Sequence, residues 1–68
     1  MRDILRNARK EKGLTQQQVA DQLGISLRYY RMIENGDRTG DFEIWDDLED
    51  MFNVNQRSLR KISANEPI

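Results

Sequence analysis

The sequence contains no cysteine, no histidine and a single proline. Without cysteine there is no disulfide framework and no thiolate metal site. Without histidine the commonest general base and the commonest metal ligand are both missing. No apolar run approaches the ~20 residues a membrane helix needs, and no signal-peptide pattern opens the chain. The 68 residues make one domain, read as 1–62, followed by a short tail at 63–68 that holds Pro67. A chain of this size buries only about 60% of the surface its unfolded form exposes, so little is left over for an enzyme's site. These absences predict a cytoplasmic, non-catalytic protein with no cofactor and no metal. The Asp/Glu run at 46–50 does not alter that, because it lacks the alternating oxygen ligands of a calcium loop.

Charge of one sign is also scarce in each half. Residues 1–40 carry eight basic and five acidic side chains, whereas 41–68 carry three basic and seven acidic ones. The net charge of −1 therefore hides a positive front half and a negative back half. Such asymmetry points to an anionic partner for the front half better than the total does.

Punctuation residues divide the chain into five helical segments with no strand alternation. The first runs from about Arg2 to Lys12, with Ile4, Leu5 and Ala8 at helical spacing, and stops at Gly13. Thr15-Gln16-Gln17-Gln18 has the form of a capping box and opens the second, whose inner residues are Val19, Ala20 and Leu23. Gly24 ends it. Ser26 can cap a third helix that turns Tyr30 and Ile33 inward and stops at Asn35-Gly36. After a polar loop over 36–40, Asp41 is a plausible cap for a fourth helix. Its stripe is Ile44, Trp45, Leu48, Met51 and Phe52, and its outward face is Glu43, Asp46, Asp47, Glu49 and Asp50. Trp45 reads as a partly buried packing residue before an interaction anchor. Asn55 can cap a short fifth helix that sets Leu59 and Ile62 against the rest. The expected fold is all-α, with five helices and short connections.

The window from Gln16 to Asn35, QQQVADQLGISLRYYRMIEN, carries the most information. Ala20 stands where two helices would approach most closely, and Gly24 occupies a tight turn where positive φ favours glycine. Val19, Leu23, Ile25, Tyr30 and Ile33 fall where they would close the pair on a core. The pattern is that of a helix-turn-helix, which presents its second helix to a groove. With these features the sequence resembles the phage repressor and Cro-like family, also called the xenobiotic-response-element or lambda-repressor-like family. The segments that carry the likeness are GLTQQQVADQLGIS, IENG and FNV, and it extends from about Leu5 to Leu59.

The resemblance implies sequence-specific binding of double-stranded DNA by a transcriptional regulator, a repressor by preference. It implies a dimer on a palindromic operator, with half-sites about one helical turn apart. Position by position, it places Leu27, Arg28, Arg31 and Met32 toward the bases. Gln16 and Gln17 at the start of the second helix, Ser26 and Tyr29, and Asn35 and Arg38 beyond the third, are placed on the backbone. It makes Arg9 and Glu34 a buried ion pair. The dimer surface it implies lies near Gln56, Arg57 and Leu59, where apolar area is small, so a weak homodimer is expected. Two departures stand out. Tyr30 replaces the usual β-branched aliphatic, so its hydroxyl needs water or a partner. The loop after Gly36 has one basic residue, Arg38, beside Asp37 and Asp41, so phosphate contact there should be poor. Two other readings use the same fold. One is an antitoxin that represses its own operon; the other is an adaptor whose interface is the acidic fourth helix with Trp45. A protein partner, such as a toxin or antirepressor, is left open.

Overall fold

The computed structural model describes residues 1–62; the tail expected at 63–68, with Pro67, lies outside the described residues. Five helices follow one another: α1 (Asp3–Glu11), α2 (Gln16–Leu23), α3 (Leu27–Asn35), α4 (Phe42–Phe52) and α5 (Gln56–Leu59). Among the described residues there is no strand. The all-α, five-helix expectation holds. α2 packs on α3, α4 on α5, and α1 closes the molecule against α5 and α3.

Caps set most of the starts. Thr15 and Gln18 form the capping box, with Gln18 N–H donating to Thr15 Oγ1 at 3.1 Å and Thr15 N–H to Gln18 Oε1 at 2.8 Å. Ser26 Oγ accepts from Tyr29 N–H at 3.0 Å, and Asp41 Oδ1 from Ile44 N–H at 3.1 Å. Each bond satisfies a first-turn donor that the helix itself leaves without an acceptor. α4 ends on Asn53 in the left-handed region, which asparagine tolerates because its short side chain can bond locally.

The core gathers Leu5, Val19, Ala20, Tyr30, Ile33, Ile44, Trp45, Leu48, Phe52 and Leu59. Three expectations change here. Ile4 is exposed, and Leu5 shares the inner face of α1 with Arg9, one turn on. Trp45 is buried outright at 1% exposure, its Nε1–H donating to Thr39 O at 2.6 Å. α5 stops at Leu59, so Ile62 lies beyond it and is exposed. Gly40 explains the tight seat of Trp45. A Cβ there would stand 3.3 Å from Ile33 Cδ1 and 3.5 Å from Trp45 Nε1, on a residue whose φ is already +80°. Glycine is the residue that fits both constraints.

Arg2 is one of the eight basic residues of the front half. It is buried. Its guanidinium donates through Nη1 to the carbonyls of Ile33 and Arg38, and through Nε to Arg60 O at 2.9 Å. It also lies over the Trp45 ring, 5.2 Å from the centroid. One side chain thus joins the end of α3, the following loop, the end of α5 and the core aromatic. Arginine's planar fork of donors suits that task as no aliphatic side chain could.

Candidate nucleic-acid interface

α2 and α3 meet around Ala20, which is fully buried, and turn through Gly24 at φ +72°. Ile25 N–H closes the turn on Ala20 O at 3.0 Å. α3 then divides cleanly into two faces. Tyr30, Ile33 and Glu34 point inward and are buried; Arg28, Arg31 and Asn35 are exposed. Leu27 and Met32, expected on the outward face, are each half-buried. They can offer an edge to a ligand but not a whole side chain.

The inner face is fixed by polar groups as well as by packing. Glu34 is 1% exposed and accepts from Arg9 Nε at 2.8 Å and Nη2 at 3.2 Å, a bidentate ion pair. The Tyr30 hydroxyl donates to the same carboxylate at 2.8 Å, which is the partner its phenol required. Gln16 Nε2 adds a further bond at 2.8 Å. Burial alone would push the Glu34 carboxyl up, but the bonds from Arg9, Tyr30 and Gln16, with Arg9's charge, hold it below its ordinary value. Burial and the neighbouring carboxylate both push the Tyr30 phenol far up, so it stays a neutral donor.

Gln16 has a second role. Its Oε1 accepts from Arg31 Nε at 3.3 Å, so one amide links the buried carboxylate to an exposed arginine of α3. Both ends of the side chain are therefore committed inside the protein. The main-chain N–H of Gln16 lies in the first turn of α2, where helix geometry provides no acceptor. Gln17 is exposed, its side chain bonded to Asp21 at 2.9 Å.

Ser26, Arg28, Tyr29, Met32 and Arg38 line one hollow of about 300 Å³ beside α3. Base-directed and backbone-directed candidates thus share one concave surface. The loop that carries Arg38 is pinned by Met32 O, which accepts from Gly36, Asp37 and Arg38 N–H at 3.1, 2.8 and 3.2 Å.

The dimer candidates do not stay together. Leu59 is fully buried in the core and presents nothing to a second copy; the short α5 needs an apolar anchor, and Leu59 is the residue that supplies it. Gln56 is half-buried, its Nε2 held by Asp46 at 2.8 Å and Glu49 at 3.1 Å, and only Arg57 is freely exposed. Nearby, Phe42 is 78% exposed at the start of α4, a feature the sequence pattern did not single out. A lone apolar residue at a helix start leaves no periodic signal.

Among the described residues no group of three acidic, histidine or cysteine side chains could hold a metal ion. Nor is any described helix long and apolar enough to cross a membrane.

Residues 5–59 match the family model described as helix-turn-helix. An uncharacterized HTH-type transcriptional regulator of Bacillus subtilis, YqaE, is 36% identical over 64 residues, covering 94% of this chain and 55% of that protein. A second such regulator of the same organism, YqaF, is 53% identical over 38 residues, 56% of this chain and 50% of that protein. The chain thus spans about half the length of the curated relatives it matches. No solved structure matches it.

Proposed function

The chain belongs to the helix-turn-helix family, and from that membership and its geometry we propose that it binds double-stranded DNA and regulates transcription as a repressor. The observation that carries this reading is the exposed pair Arg28 and Arg31 on α3, a helix whose opposite face is locked by Tyr30, Ile33 and Glu34. Laid in the major groove, the two guanidinium groups can each pair bidentately with guanine O6 and N7. The edges of Leu27 and Met32 meet thymine methyl groups. Main-chain N–H groups of Gln16 and Gln17, with Ser26, Tyr29, Asn35 and Arg38, hold the phosphates and fix the register.

In this reading the protein works in the cytoplasm, without catalysis or cofactor, as a dimer on a palindromic operator. With Leu59 in the core, the apolar residue left for contact between copies is the exposed Phe42, with Gln56 and Arg57 as the polar candidates. That apolar area is small, so the dimer assembles on DNA. The adaptor reading loses support, because its anchor Trp45 is 1% exposed.

The test is a mobility-shift assay on DNA from the region upstream of the protein's own gene. A fragment-specific shift is expected. No shift of any fragment at low salt and micromolar protein would sink the reading.

A further inference from the structure

The hollow beside α3 has a larger neighbour. Arg38 lines the first, and the next residue, Thr39, lines the second, so two consecutive residues of one loop separate them. The second is a cleft of about 560 Å³ between the start of α1 and α5, lined by Arg2, Thr39, Arg57, Ser58, Arg60 and Lys61. No lining residue is acidic. Residues 41–68 contain three basic side chains among seven acidic ones, and all three face this cleft. They stand together at 57, 60 and 61, and the fold brings Arg2 to them from the other end of the chain.

Among the described residues lining the cleft there is no carboxylate to neutralise this charge. Arg2 is held by three carbonyls and an aromatic face, which orient its guanidinium without cancelling its charge. Burial, and then the charge of Arg60, lower its pKa. The Arg6–Asp3 and Arg9–Glu34 ion pairs involve no residue that lines this cleft. Asp41 lines an adjoining hollow with Phe42 and Trp45, which shares Thr39 and Arg60 with the cleft. Like charges gathered around one concavity repel, and an anion seated among them removes that cost. The hydroxyls of Thr39 and Ser58 add donors suited to phosphate oxygens.

We propose that this cleft is a phosphate-binding site, and that in the DNA complex it takes a backbone phosphate of the strand passing the loop at 36–40. The proposal rests on the DNA-binding reading above. It also answers the poverty of that loop, since the charge missing beside Asp37 and Asp41 is supplied by α1 and α5. The duplex footprint therefore extends beyond the recognition helix to the opposite end of the chain.

The test uses the full chain and the double variant R60Q/K61Q. Arg2 is left in place because it ties the fold, and Arg57 because it belongs to the proposed dimer contact. Duplex affinity is measured over a series of salt concentrations. The slope of log K against log salt should become shallower by about one in the variant, at ~0.9 per phosphate contact, with an unchanged thermal midpoint. In a second arm, inorganic pyrophosphate is titrated while the amide resonances of Thr39, Ser58 and Lys61 are followed. Saturable shifts in the parent chain that vanish in the variant support the site. Such shifts with an unchanged slope keep the phosphate site and overturn the DNA backbone as its source. An unchanged slope with no saturable shift overturns the site altogether. If the parent chain binds no duplex at all, the DNA reading fails, and the pyrophosphate arm alone decides the cleft.

Discussion

Glu34 is the residue on which the helix-turn-helix is registered. It receives Arg9 from α1, Tyr30 from its own helix and Gln16 from α2. Removing one partner of a buried pair leaves the other charge uncompensated, so Glu34→Ala should cost about 3–5 kcal/mol. At ~4–8 °C per kcal/mol for a domain this small, the variant should be largely unfolded at room temperature by circular dichroism. Tyr30→Phe removes only a bond to a charged acceptor and should cost about 1.5–3 kcal/mol in urea titration. The pH dependence follows from the direction of the Glu34 shift. Its carboxyl has a lower pKa folded than unfolded, so the stabilisation is full above the unfolded value, about 4.3. It is lost as pH falls through the folded value. The parent chain should lose stability in acid. Glu34→Gln, less stable near neutrality, should show a flatter curve there; equal acid slopes in the two proteins would remove Glu34 from this role.

Among the elements, the turn and α3 separate stability from recognition. Gly24 has φ +72° with open space where a Cβ would project. Gly24→Ala should therefore destabilise through backbone strain alone, by more than about 1 kcal/mol, and Gly24→Asn by less. Gly40→Ala adds contact with Ile33 and Trp45 to the same strain and should cost more than Gly24→Ala. On α3 the expectation reverses. Arg28→Ala and Arg31→Ala leave the core untouched, so thermal midpoints should hold while operator affinity falls by about 1–3 kcal/mol each, with relaxed sequence preference. Arg38→Ala should weaken all sequences alike. Arg31 is the more demanding of the two arginines, because Gln16 Oε1 already orients its guanidinium from α2. Gln16→Ala should then lower both stability and affinity.

For the molecule as a whole, charge is sorted by face more than by chain half. The acidic residues Glu43, Asp46, Asp47 and Asp50 are exposed on α4, and DNA approaching that side would be repelled. Neutralising Asp46, Asp47 and Asp50 together as amides should raise affinity for random duplex at low salt and lose that advantage as salt screens it. The assembly state is a second property at this scale. Sedimentation at micromolar concentration should find the free chain monomeric and the operator complex carrying two copies. Phe42→Ser should weaken the complex without shifting the thermal midpoint, since that ring is 78% exposed. A tight dimer in the absence of DNA would contradict the small contact assigned here.

The sequence by itself determined the five helices, because caps such as Thr15, Ser26 and Asp41 and turns such as Gly24 act within a few residues. It also carried the helix-turn-helix with its outward arginines, since periodicity alone divides α3 into two faces. Tertiary structure decided what depends on distant neighbours. Arg2 reaches residues 31, 36 and 58 positions away, so no local pattern distinguishes it from a surface cation. Gln16 was legible as a helix start, but its tie to Glu34 exists only once α2 and α3 have packed. Leu59 went inward as the buried residue of α5, and Phe42 stayed out because it lies off the face of α4 that carries Ile44, Trp45, Leu48 and Phe52. The basic residues of the acidic half stand together between positions 57 and 61, but they border one cleft with Arg2 and Thr39 only when α5 is folded back onto α1.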